Sequence, residues 1–261
     1  MMKWIKPLLP IYLLLSALSA TNAYSANNST IRNIKLDSGL EKNHLLELFS
    51  SEGCSSCPPA DRFVSELQTS PELWNKWVPV VYQVGYWDYL GWPDPFAKPE
   101  HQQKQYAYRR SGRANGVYTP GFFIDGQEWR GFFRRGRTLP EIKPTSAGRL
   151  TADVKQANAM LNISASYAST DKQPKGYILN WALTGLDRET EVNKGENAQK
   201  KLHHDFVVLE SGFAHPDKKE WQLNVPLNSH PVSGNLALSL WVTPAENPFE
   251  VLQATGSLLQ Q

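Results

Sequence analysis

Two periodicities divide the chain. Before about residue 140, apolar positions come in short dense runs separated by turn residues and by stretches of helical spacing. Leu45-Leu46-Glu47-Leu48-Phe49 is a run suited to a buried strand. Ser50 to Gly53 follow as a turn, and Phe63, Val64 and Leu67 then recur at helical spacing, with Asp61 and Glu66 on the other side. Val78 to Val84 is β-branched and apolar, which predicts a central strand starting just after Pro79. Tyr86 to Trp92 forms an aromatic loop at its end, and Lys98 to Arg110 has the spacing of a helix that stops near Gly112. Gly121 to Trp129 predicts two short strands joined at Asp125-Gly126, a favoured hairpin dipeptide.

Past residue 150 the pattern changes to strict alternation. Leu161, Ile163, Ala165 and Tyr167 alternate with more polar neighbours, as do Tyr177, Leu179, Trp181 and Leu183. Trp221, Leu223 and Val225 repeat the pattern, and so do Leu236, Leu238, Leu240 and Val242. Period two with turn residues between runs predicts an antiparallel β-sandwich of about six or seven strands. Pro140 to Gly148 is proline-containing and small-polar, like a linker, and Lys194 to Lys201 reads as a charged loop.

The N-terminus carries an address rather than a fold. Lys3 and Lys6 precede an apolar run from Leu8 to Ala20, and Thr21-Asn22-Ala23 presents small residues where a signal peptidase reads. The run is shorter than the roughly 20 residues that span a bilayer, so cleavage after Ala23 is expected, an uncleaved anchor being the competing reading. The expectation is an exported protein, periplasmic or secreted, with no membrane span in the mature chain. With 41% hydrophobic and 20% charged residues the bulk should be folded. The net charge of +2 matches Lys3 and Lys6, so the mature chain is neutral and no nucleic-acid partner is expected.

There are two cysteines, Cys54 and Cys57, separated by two serines. A bridge across so small a loop removes little entropy from the unfolded chain, which makes a structural staple a poor reason for it. A zinc-type site would need further ligands, and His44, His101, His203, His204, His215 and His230 show no paired spacing with the cysteines. His203 and His204 are adjacent and would point to opposite faces of a strand; with Asp205 they read as surface groups, or as acid–base or metal ligands. Redox chemistry is the third reading. Strand, turn, C-x-x-C and helix place Cys54 at the first turn of a helix, where free N–H groups and the dipole favour a thiolate. Cys57, one turn later, should lie beneath. Cys54 is then the attacking thiol and Cys57 the resolving thiol.

The run Glu47 to Asp61, which contains Cys54-Ser55-Ser56-Cys57-Pro58-Pro59, resembles a family of secreted thioredoxin-like proteins of unknown function. So do Tyr86-Trp87-Asp88-Tyr89-Leu90-Gly91-Trp92, Asp94-Pro95-Phe96-Ala97, Val117-Tyr118-Thr119-Pro120, and Gly195-Glu196-Asn197 with Leu202 and Phe206-Val207-Val208. The resemblance implies an α/β thioredoxin-like domain over 42–140, with a mixed sheet and helices on both faces. Before it lie the signal peptide, 1–23, and a lead-in, 24–41. A linker over 141–150 and an all-β sandwich-like domain over 151–261 follow. It also implies a proline loop at Thr119-Pro120 facing the cysteines, where X–Pro can be cis at low cost.

The chain departs from that family where a histidine and an aspartate flank the valine before Tyr-Trp-Asp. Here Gln83 and Gly85 stand there, and Gly121 replaces a glutamine after Thr-Pro. Asp88 becomes the nearest substitute carboxylate. Trp87 and Asp88, with Thr119 and Pro120, are the expected substrate-facing residues, although Trp87, Tyr89 and Trp92 also suit simple packing. Two arginine groups, Arg109/Arg110/Arg113 and Arg130/Arg134/Arg135/Arg137, suit an anionic ligand, a lipid headgroup or a solvated face.

The function expected is an exported thiol–disulfide oxidoreductase with redox-active Cys54 and Cys57. Its substrate is a protein or small-molecule disulfide or thiol, it needs a redox partner that resets the pair, and no cofactor is implied. The alternative is a redox-inactive binding protein for a soft metal such as copper(I), or for an envelope protein.

Overall fold

The computed structural model describes residues 1, 33–157, 160–169, 176–214, 219–227 and 235–259. The signal-peptide expectation, His215 and His230 lie outside them. In chain order come β1 (Ile34–Asp37), β2 (His44–Ser50), α1 (Pro58–Ser65), β3 (Trp77–Gln83), α2 (Pro99–Arg110), β4 (Gly121–Ile124) and β5 (Gln127–Glu128). Then come β6 (Arg149–Ala157), β7 (Met160–Ala168), β8 (Tyr177–Gly185), β9 (Arg188–Val192), β10 (Lys200–His204), β11 (Val207–Ala214), β12 (Glu220–Pro226), β13 (Leu236–Pro244) and β14 (Gln253–Leu258). Short 3₁₀ turns lie at Glu66–Thr69, Asp88–Leu90 and Gly131–Phe133.

The local patterns produce the elements for the reasons given above. All seven residues of β2 are buried, as its dense apolar run requires. In β7, Leu161, Ile163, Ala165 and Tyr167 are buried, while Asn162 and Ser164 between them and Ala168 after them are exposed. β13 is buried along its whole length, the mark of a central strand covered on both faces. The turn between β4 and β5 has positive φ at both Asp125 and Gly126 (49° and 79°), which suits a tight hairpin. Phe249 packs against Gly126 so closely that a Cβ there would strike its carbonyl.

Tertiary pairing overturns the expected fold class. The described chain is mostly β, with fourteen strands against two α-helices, and is not an α/β layer with helices on both faces. The order of its largest sheet is β14-β13-β8-β11-β3-β2-β4-β5, with eight strands drawn from both sides of residues 141–150. Only β2–β3 and β3–β11 are parallel in this sheet. The junction is made where Val81 N–H donates to Phe206 O at 2.9 Å and Val207 pairs with Val81. No sequence pattern names a strand's neighbour across 120 residues, so the strand at 77–83 could not show that its second edge is filled by β11.

A four-stranded sheet, β1-β6-β7-β12, packs against the larger one. Leu150, Val154, Leu161 and Ile163 of the smaller sheet share a core with Leu179, Leu183, Leu238 and Leu240 of the larger. Around β2, alternate residues enter different clusters, as a pleated strand dictates. Leu46 and Leu48 pack with Ala60 and Val64 of α1, and Leu45 and Phe49 with Tyr108 of α2. β9 and β10 form a separate hairpin, so Lys200 and Lys201 lie in a strand and the loop of the expected 194–201 stretch is shorter. β3 begins at Trp77 and includes Pro79, earlier than expected. β11 pairs with β3 only at Val81, so the donor missing at Pro79 takes no bond from that side.

Candidate functional site

The turn after β2 carries the cysteines. Cys54 N–H donates to Ser51 O at 3.1 Å and Cys57 N–H to Cys54 O at 3.2 Å, and the two side chains are joined as a disulfide, Cα to Cα 5.4 Å. α1 starts only at Pro58, with Cys57 as its N-cap, so Cys54 sits in the turn before the helix and not in its first turn. The expected source of thiolate stabilisation changes with it. Pro58 and Pro59 have no N–H, and the first available donors, Ala60 and Asp61, both end on Cys57 O at 2.7 and 3.1 Å. The polar groups beside Cys54 Sγ are the Ser56 hydroxyl at 3.3 Å and the carbonyl of Thr119 at 3.8 Å.

Three segments close over the pair. The first is the proline loop, in which Thr119–Pro120 is cis and Gln105 Nε2 donates to Tyr118 O at 2.7 Å. Gly121 follows because a Cβ there would lie 2.9 Å from Tyr118 O and 3.2 Å from that amide. The second is the aromatic loop. Trp87 Nε1–H donates to Thr119 Oγ1 at 2.8 Å, and Gly53 lets the Trp87 backbone pass where a Cβ would meet Trp87 Cβ at 2.7 Å. Asp88 braces this loop by accepting Asp94 N–H at 3.2 Å, and burial raises its pKa. Gly85 is small because a Cβ there would come within 3.0 Å of Asp88 Oδ2.

The third segment is the tip of the β9–β10 hairpin, 193–199. Asn197 Nδ2 donates to Glu52 O at 2.8 Å and Cys54 O at 3.0 Å, and Glu196 accepts Ser55 N–H at 2.9 Å. The result is a nearly closed pair: Cys54 is 2% exposed and Cys57 0%, although Ser55 and Ser56 between them are exposed. Both cysteines are buried, and Cys54 is less open than an attacking thiol was expected to be.

Beside the pair lies a buried acid–base cluster. His204 Nε2 is 3.0 Å from Glu52 Oε1, and its Nδ1 is 4.0 Å from Asp61 Oδ1 and 3.4 Å from Gln83 Nε2. Trp92 Nε1–H donates to Glu52 Oε2 at 2.6 Å, Ser50 Oγ to Asp61 Oδ2 at 2.8 Å, and Glu52 N–H to Asp94 Oδ2 at 2.9 Å. Burial pushes Asp61 up to about 6, against the pull of His204 and Ser50. Burial and the nearby Glu52 push Asp94 up to about 7. Burial also opposes charge on His204, but the hydrogen bond that its Nε2–H donates to Glu52 and the charges of Asp61, Glu52 and Asp94 outweigh it and raise its pKa. Burial thus raises two carboxyls of the site, Asp61 and Asp94, towards neutrality.

Of these groups, Glu52, Asp61, Asp94 and Asn197 carried no expected site role, and His204, expected as a surface group or as an acid–base or metal-binding one, is buried. The alternation of β10 did put His203 and His204 on opposite faces; the side chain of His203 is 44% exposed, that of His204 2%. Gln83, marked as a departure from the family pattern, is the residue that meets His204. Asp187, His203 and Asp205 bring one ligand atom each within 4.8 Å of the others, the geometry of a candidate cation site. Their oxygens already accept Asp187 N–H, His203 and Asn235.

Fold and site together define a mainly β protein with a cysteine pair held between a cis-proline loop, an aromatic loop and a hairpin tip. The chain belongs to the family described as "Protein of unknown function (DUF1223)", which matches residues 45–243. No curated protein matches it. Among solved structures it is similar to a structural-genomics protein of Agrobacterium tumefaciens, 23% identical, with 83% of this chain and 93% of that one covered at a TM-score of 0.57. It is also similar to HBP35 of Porphyromonas gingivalis, 14% identical, with 84% of this chain and 76% of that one covered at a TM-score of 0.57. Both likenesses concern the fold alone.

Proposed function

We propose that this protein is an exported thiol–disulfide oxidoreductase working through Cys54 and Cys57. The observation that carries the reading is the cysteine pair, already joined, with Cys54 Sγ 3.8 Å from the carbonyl of Thr119 in the cis-proline loop. A pair serving only as a staple has no need of that loop, the two covering segments and a buried cluster of carboxyls round His204 beside it.

In the oxidised protein, a substrate thiolate attacks Cys54 Sγ, the S–S bond breaks, and Cys57 leaves as a thiolate that takes up a proton. A second substrate thiolate then attacks the substrate sulfur of the mixed disulfide, and Cys54 leaves. Two electrons and two protons pass from a substrate dithiol to the pair. The reverse sequence reduces a substrate disulfide. A second thiol–disulfide partner resets the pair. Thr119 and Pro120 offer backbone to an extended substrate, Trp87 is held to Thr119 beside them, and Asp88 holds the loop that carries Trp87.

The test is equilibration of the mature protein with glutathione or dithiothreitol redox buffers, following the Cys54–Cys57 disulfide. A potential between about −120 and −270 mV, with exchange lost in Cys54→Ser, is the expected result. A potential below about −300 mV, or full exchange in Cys54→Ser, overturns it. Stoichiometric copper(I) held by the reduced protein and lost in the double cysteine variant would move the assignment to a metal-binding protein.

A further inference from the structure

Beyond the proline loop lies a basic pocket that the exchange step does not use. After β5 the chain makes the 3₁₀ turn Gly131–Phe133 and then a loop in which Phe132, Phe133, Arg134, Arg135, Gly136 and Arg137 line a concavity of about 570 Å³. Arg130, Arg134, Arg135 and Arg137 are all exposed. Among the described residues, no carboxylate lies within ion-pair distance of Arg134, Arg135 or Arg137. Arg137 stacks its guanidinium 5.0 Å from the Phe132 ring, which fixes one wall. Unpaired arginines gathered round an aromatic floor form a receptor for carboxylates.

The pocket adjoins the cysteine site. Phe133 packs on Tyr118, ring centres 6.3 Å apart, and Arg130 lies 5.9 Å from the centre of the same Tyr118 ring. Tyr118 is the residue before Thr119, whose carbonyl is 3.8 Å from Cys54 Sγ. A substrate chain laid along the proline loop from Cys54 thus runs over Tyr118 towards the arginines. Residues a few positions from its reacting cysteine would then meet the arginines that adjoin Tyr118. A membrane surface fits less well, because the basic loop is curved into a concavity that adjoins Tyr118 of the proline loop.

We propose that Arg134, Arg135 and Arg137 form a specificity site for an acidic polypeptide segment, binding Asp or Glu side chains a few residues from the substrate's reacting cysteine. As a statement about substrate, this rests on the exchange function proposed above.

The test uses two disulfide-bonded peptides that differ only in carrying three Glu or three Gln at those positions, with the full mature protein in low-salt buffer. The Glu peptide should show a kcat/KM about tenfold higher, an advantage that shrinks with added salt. In the variant R134Q/R135Q/R137Q the ratio should fall to within about twofold, and R134K/R135K/R137K should restore part of it. Equal rates for both peptides in the parent protein, or a ratio unchanged by the Gln variant, overturn the specificity site and leave exchange standing. Anisotropy with a cysteine-free Glu peptide separates the two readings. Binding that weakens about tenfold in the Gln variant, with no exchange of either peptide, removes the exchange function and keeps the acidic-segment site. No binding of that peptide, or stronger binding to phosphatidylserine vesicles than to the peptide, overturns the site.

Discussion

The side-chain amide of Asn197 donates to the backbone carbonyl of Cys54 at 3.0 Å, across 143 residues of chain. The same Nδ2 reaches Glu52 O at 2.8 Å, and Lys200 Nζ donates to Asn197 Oδ1 at 2.9 Å. One fully buried amide therefore ties the hairpin tip to two carbonyls at the start of the cysteine turn.

Asn197→Leu takes the side-chain donor from Glu52 O and leaves Cys54 O with Cys57 N–H alone. A loss of about 2 kcal/mol is expected, of the order of a buried polar group left unpaired. Urea unfolding of the oxidised protein measures it. Asn197→Asp should be no better, since a carboxylate has no hydrogen to give, and a midpoint equal to that of the parent would contradict this account.

Gly53→Ala places a methyl group 2.7 Å from Trp87 Cβ and 3.3 Å from its carbonyl, both anchored in backbone. The aromatic loop must shift, at about 1–3 kcal/mol. Because that loop covers Cys54, the reduced variant should react with a thiol reagent several-fold faster than the parent. An unchanged alkylation rate would mean that Trp87 does not gate the sulfur.

The pH dependence of stability has a definite sign at Asp94. Its folded pKa, about 7, lies above the ordinary 3.8, so between those values the folded state holds a proton that the unfolded chain releases. The stabilisation from this proton is full below about pH 4 and is lost as pH rises through 7. Asn at this position carries no titrating proton. Whatever constant offset Asp94→Asn brings, its stability relative to the parent should climb from pH 4 to 7 and then level off. Unfolding midpoints of both proteins across that range give the slope, and a flat difference would show that Asp94 titrates normally.

A fragment ending at residue 145 should not fold. It would strip β11 from the edge of β3 and remove Ala182, Val208, Trp241 and Ala254 from the cluster that holds Val78, Val80 and Tyr82. The fragment's far-ultraviolet circular dichroism and amide-proton dispersion should be those of an unfolded chain. A cooperative unfolding transition in it would show that 33–145 stands alone.

Local order was legible in the residues themselves. The run at 45–49, the helix spacing after Pro99, the Asp125-Gly126 turn and the alternation at 161–167 each express a preference of neighbours within one element, and the chain adopts them nearly as read. The two cysteines were found the same way, by spacing and by the strand before them. What the chain does beyond an element's length was settled only by packing. β3 took its second neighbour from residues 207–214, which turned an expected α/β unit into part of an eight-stranded sheet. The same folding carried His204 and Asn197 to Glu52 and the cysteine turn. A periodicity reports which face of an element is buried, because burial acts residue by residue. It says nothing of which surface covers that face, because the partner is chosen by the shape and hydrogen bonding of the whole chain.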